Sequence, residues 1–148
     1  MTAMKTIEIK VERTIPAPCA EVFDAWLDPK IPGTTWHAAE KFILDPKVDG
    51  LFFWHIAGNS HYGRFTKMER PGRIEHTWMS PSTAGLESTV IVTFTGDADD
   101  DCRVGRRVAA VAWVGWRGRC LWGPSQREGV PPAQRGIVRR WAGLLQWV

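Results

Sequence analysis

At 148 residues, 44% of them hydrophobic, the chain has the length of one domain, enough to bury roughly 70% of its unfolded surface and too little for a second core. Its formal net charge of +3 hides a split, because residues 1–101 carry 10 basic and 15 acidic side chains while residues 102–148 carry 9 arginines and one acid. A basic excess confined to one tail is not a cationic folded face, and no apolar run nears the ~20 residues that cross a bilayer, so neither nucleic-acid binding nor a membrane span is expected.

The first residues do not build the charged-then-apolar layout of a secretory leader, so a cytoplasmic setting is expected. Ile7, Ile9, Val11 and Ile15 then alternate with Glu8, Lys10, Glu12 and Thr14, the period of a strand with one buried face, interrupted by Arg13. Pro16-Ala17-Pro18 stops the strand. Cys19, Val22, Phe23 and Trp26 follow at helical spacing, with Glu21, Asp24 and Asp28 opposite them, which predicts a short amphipathic helix ending before Pro29. Pro29, Pro32 and Gly33 forbid a second long helix, leaving a broken turn that carries Trp36 as a plug for one end of the core.

From residue 40 the pattern becomes short strands, expected over 41–44, 51–57, 62–68, 74–79 and 88–95, with turns at Asp49-Gly50, Gly58-Asn59 and Pro71-Gly72. A Gly58-Asn59 turn would set His55 opposite Tyr62 and point His61 to the other face. Consecutive antiparallel hairpins behind one early helix leave a face to be covered, which calls for a long C-terminal helix.

These residues resemble a known family. Arg13-Thr14-Ile15, Ala17-Pro18, Val22-Phe23, Ala25-Trp26, Asp28-Pro29 and Trp36 come first. Asp49-Gly50 before Phe52-Phe53-Trp54, then Tyr62-Gly63-Arg64-Phe65, Pro71-Gly72-Arg73-Ile74 and Thr77-Trp78 continue the series. In order and spacing over residues 5–99 they resemble the SRPBCC (START-like) superfamily, and within it the proteins similar to the activator of the heat-shock protein 90 ATPase. The resemblance implies an α+β helix-grip fold, a curved antiparallel sheet around a C-terminal helix. It also implies a cavity that in relatives takes lipids, sterols, polyketides or other apolar molecules; it does not imply a shared catalytic set, and no cofactor is expected.

After Thr95 the family turns through an Asp-Gly hairpin, adds a last strand and ends in a helix opened by Gly-Trp. Here the turn is Gly96-Asp97-Ala98-Asp99-Asp100-Asp101, and residues 102–148 hold five of the nine tryptophans and none of the lysine, aspartate, phenylalanine or histidine. Two readings stand. Either 104–114 is the last strand and 133–148 the gripping helix, with Ile137, Trp141, Leu144 and Val148 on one stripe, or the tail is an out-of-frame translation of GC-rich coding sequence.

Cys19, Cys102 and Cys120 are odd in number and lack C-x-x-C spacing, so reduced thiols and no zinc site are expected. His37, His55, His61 and His76 lack the spacing of metal ligands, and Asp97, Asp99, Asp100 and Asp101 lack the glycine and distal glutamate of a calcium loop. The expected function is therefore binding of an apolar or aromatic small molecule between sheet and helix, lined by Trp36, Trp54, Phe65, His76 and Trp78, with His55 or Arg64 orienting a polar end. Two other readings remain open: docking on a chaperone, or on a second copy as a homodimer, and a START-like cyclase or hydrolase using His55, His76 or Glu75 as acid or base.

Overall fold

A computed structural model describes residues 5–32, 35–83, 85–96 and 101–112. Seven strands, β1 (Lys5–Ile15), β2 (Lys41–Leu44), β3 (Leu51–Ile56), β4 (Asn59–Glu69), β5 (Arg73–Trp78), β6 (Ser88–Thr95) and β7 (Cys102–Ala112), form one antiparallel sheet. Two helices, α1 (Cys19–Trp26) and α2 (Thr35–Ala38), fall between β1 and β2. The order across the sheet is β1-β7-β6-β5-β4-β3-β2, so hairpins run in sequence from β2 to β7 and β1 adds to the far side of β7. This is the START-like helix-grip arrangement, while the expected gripping helix, 133–148, and Cys120 lie outside the described residues.

Alternation decides the faces. Trp54 pairs with His61, Phe65 with His76, Ile74 with Val92 and Phe94 with Val104, and these side chains share one inner face. The amphipathic α1 lays Val22, Phe23 and Ala25 onto that face beside β6 and β7, where Phe23 and Trp26 meet Phe94 edge-on at 5.3 and 5.9 Å. A bulge between Phe65 and Lys67 inserts one residue into β4, so that both Phe65 and, three residues on, Met68 point inward and the strand bends.

Four expectations are corrected. The β3–β4 turn is Ala57-Gly58, not Gly58-Asn59: both residues have positive φ, +48° and +78°, as a two-residue hairpin turn of primed type requires. His55 therefore faces Ser60 rather than Tyr62. Sliding the turn by one residue moves the pairing by two, which preserves the faces, so His61 still points away from His55.

The expected reduced thiols are not found either, since Cys19 and Cys102 are joined in a disulfide between the first residue of α1 and the first of β7. An odd cysteine count cannot reveal that two of three sulfurs are brought together by the fold. The last strand, expected over 104–114, begins at Cys102 instead, and β7 pairs residue by residue with β1, from Ile15↔Cys102 to Lys5↔Ala112. Finally, β1 does not have a wholly buried face: Ile15 is buried, yet Ile9 and Val11 on the same side are 53% and 39% exposed at the sheet's edge.

Candidate functional site

The inner face changes character along the sheet. Over β6 and β7 it is aliphatic and covered by α1, whereas over β3, β4 and β5 it is aromatic and holds polar atoms. Gly63 makes this possible locally, because a Cβ there would overlap the ring of Phe52 and the carbonyl of Thr77. Phe52 therefore lies across the strand and touches Phe65, His76 and Trp36 at centroid distances of 5.4, 5.0 and 5.6 Å.

Trp36 is fixed by α2, a single helical turn whose indole Nε1 donates to the carbonyl of Trp26 at 2.9 Å. It is buried against Phe52 and Trp54, as a plug of the core should be. Trp54 then meets His61 at 4.8 Å, and His61 stacks almost parallel on Trp78 at 5.7 Å. Trp78 Nε1 donates to His61 Nδ1 at 3.1 Å, which leaves the proton of a neutral His61 on Nε2. Trp54 is only 6% exposed, and its indole N–H has no acceptor among the described residues.

Electrostatics follow from this packing. Burial, assisted by the nearby His55, pushes His61 down to about 4. Burial likewise pushes His76 down to about 4, partly offset by its bond to the carbonyl of Thr77 and reinforced by Arg106. Both imidazoles are thus neutral at pH 7. Arg106 of β7 faces inward between Val104 and Val108, with its guanidinium 5.9 Å from the centre of the Trp78 ring.

Of the residues proposed from sequence, Trp36, Trp54, Phe65, His76 and Trp78 share this inner face. His55 and Arg64 do not join them: each lies one residue from an inward-facing neighbour and so points to the outer face. There His55 Nδ1 bonds Ser60 Oγ at 2.9 Å and its Nε2 approaches Glu40 at 4.0 Å, while Arg64 is exposed. Phe52, which the sequence offers as a pocket-lining ring beside Trp54, Phe65, Trp78 and Phe94, belongs to the inner set, as do His61 and Arg106, which sequence reasoning missed. The signal was available in each case: Phe52 is two residues from Trp54, His61 four from Phe65, and Arg106 interrupts the Cys102, Val104, Val108 stripe.

Among the described residues no group of three or more His, Cys, Asp and Glu side chains could hold a metal ion. No helix of the described residues is long and apolar enough to cross a membrane. The inner face thus brings together a wall of rings, two neutral imidazoles, the buried indole N–H of Trp54 and the Arg106 cation.

An open, bent antiparallel sheet with an aromatic inner face, entered by one short helix after the first strand, defines the chain as a START-like helix-grip protein. It belongs to the family described as activator of Hsp90 ATPase homolog 1-like proteins, whose model matches residues 16–111, from the end of β1 through β7. Among solved structures, an HSP90 activator from Plasmodium falciparum is similar at a TM-score of 0.60 and 21% identity, over 74% of this chain and 75% of that one. Truncated norcoclaurine synthase from Thalictrum flavum is similar at 0.57 and 14% identity, covering 75% of this chain and 79% of that one. CalU16 from Micromonospora echinospora is similar at 0.54 and 22%, over 71% of this chain and 61% of that one. No curated protein matches the chain. At these identities the solved structures speak for the fold alone.

Proposed function

We propose that the chain binds an apolar or aromatic small molecule on the inner face over β3, β4 and β5, lined by Trp36, Trp54, Phe65, His76 and Trp78. The observation that carries this reading is the buried Trp54 N–H with no acceptor among the described residues, set in a cluster of rings. An unmet buried donor costs about 1–3 kcal/mol, and a face that carries such a cost beside aromatic walls is built to meet a polar atom on an apolar body. His55 and Arg64, being on the outer face, play no part in that contact. No reaction is assigned: the neutral His61 and His76 have the chemistry of hydrogen-bonding groups for a ligand, and an acid–base role for them awaits a substrate.

The test is titration with N-phenyl-1-naphthylamine, a neutral aromatic probe whose fluorescence rises in apolar surroundings. Micromolar binding is expected, weakened about tenfold by Trp78→Ala, which removes one ring of the wall. Absence of any enhancement with the folded protein would end the proposal.

The family match favours a second reading, docking on the Hsp90 chaperone, and specific capture of Hsp90 by the purified protein would support it. A cytoplasmic setting remains part of either proposal, although the Cys19–Cys102 bond weighs against a strongly reducing compartment. A homodimer partner is checked by the mass in solution.

A further inference from the structure

We infer that the ligand of the inner face is an anion, an apolar or aromatic carboxylate whose head is taken by Arg106. The inference rests on the binding role proposed above and adds its charge. Arg106 stands on β7 at an inward position, between Val92 of β6 and Val11 of β1 across the ladder. Its guanidinium lies over Trp78, which in turn donates to His61, so the cation belongs to the aromatic cluster rather than to the surface.

No carboxylate of the described residues pairs with it. The acids of the neighbouring strands alternate onto the outer face, where Glu8 takes Arg107 at 2.7 Å and Glu75 takes Arg73. No inward position of β3 to β7 is Asp or Glu. The contrast between Arg106 and Arg107 is informative, since among the described residues adjacent arginines on one strand have opposite fates: the outer one is paired by Glu8 and the inner one by no carboxylate. The imidazoles beside it, His61 and His76, are neutral at pH 7 and supply no counter-charge. The guanidinium is half-buried, and the water it has lost to the surrounding protein pushes its pKa down to about 10. A planar carboxylate restores that loss with two parallel N–H···O bonds, and the rings beside it accept the apolar remainder of the molecule.

Two probes of nearly equal shape isolate the charge: 2-naphthoate and its neutral methyl ketone, 2-acetonaphthone, each competing against N-phenyl-1-naphthylamine at pH 7. The wild type is expected to prefer naphthoate at least tenfold. Arg106→Lys should keep part of that preference, and Arg106→Met should lose it, binding the ketone at least as tightly as naphthoate. Replacing a half-buried charge that no described carboxylate pairs by an apolar chain of similar length is compatible with folding, which circular dichroism would verify. Equal affinity of the two probes for the wild type, or a preference that survives in Arg106→Met, would overturn the anion assignment and leave the binding role standing. Failure of both probes to bind would remove the binding role itself, and this inference with it.

Discussion

The two halves of the inner face are built on opposite principles. Over β6 and β7 the side chains are Val90, Val92, Phe94, Cys102 and Val104, all buried, with α1 laid across them and a disulfide fastening its start. Over β3 to β5 the sheet carries rings, two imidazoles and an indole N–H without an acceptor, held in place by a single helical turn bearing Trp36. Apart from Arg106 on β7, the first half is a packed core; the second keeps polar groups that a core would exclude. The contrast separates the part of the sheet that packs as a core from the part where we propose that a ligand binds.

Breaking the aliphatic half should have the largest effect on stability. Phe23 is 4% exposed and packs edge-on against Phe94, so Phe23→Ala removes a buried ring at a cost of about 3–5 kcal/mol. Urea unfolding followed by tryptophan fluorescence measures it, and a loss below about 1 kcal/mol would mean that α1 is not anchored there. Next comes the disulfide, which joins residues 83 apart in sequence. Closing so long a loop in the unfolded chain is worth about 2–4 kcal/mol, and the urea midpoint should fall to match when the protein is reduced or when both cysteines are changed to alanine. Neither change touches β3 to β5, so the affinity of any folded fraction for a naphthyl probe should stay within about twofold.

The strands were legible because alternation of apolar and polar side chains needs no tertiary information, and the short amphipathic helix at residues 19–26 was legible for the same reason. The inner set was less so. Choosing residues by chemical type alone admitted His55 and Arg64, although each is adjacent to a chosen residue and adjacent strand positions face apart. Arg106 is hard to read from sequence because the abrupt change of composition after residue 101 obscures its position on an apolar stripe. The disulfide had no local signal at all, since Cys19 and Cys102 meet only when β7 pairs with β1.

A smaller effect sharpens the comparison from the aromatic side. His61 and His76 are held down to about 4 in the folded protein against an ordinary value of 6.5, His61 between Trp54 and Trp78 with His55 nearby, and His76 beside Phe52, Phe65 and Arg106. Between those two values the unfolded chain binds protons that the folded chain refuses. Stability is therefore fully present above pH 6.5, falls as the pH is lowered, and levels off below about 4. From pH 7 to pH 5 each histidine costs about 2 kcal/mol by this linkage. His61→Gln keeps an acceptor for the Trp78 N–H but cannot titrate, so its stability should fall about 2 kcal/mol less than that of the wild type over the same interval, read from urea midpoints at the two pH values. An unchanged pH slope would show that His61 takes up its proton in the folded protein as readily as in water, and that the aromatic half is open to solvent where the stacked rings place it.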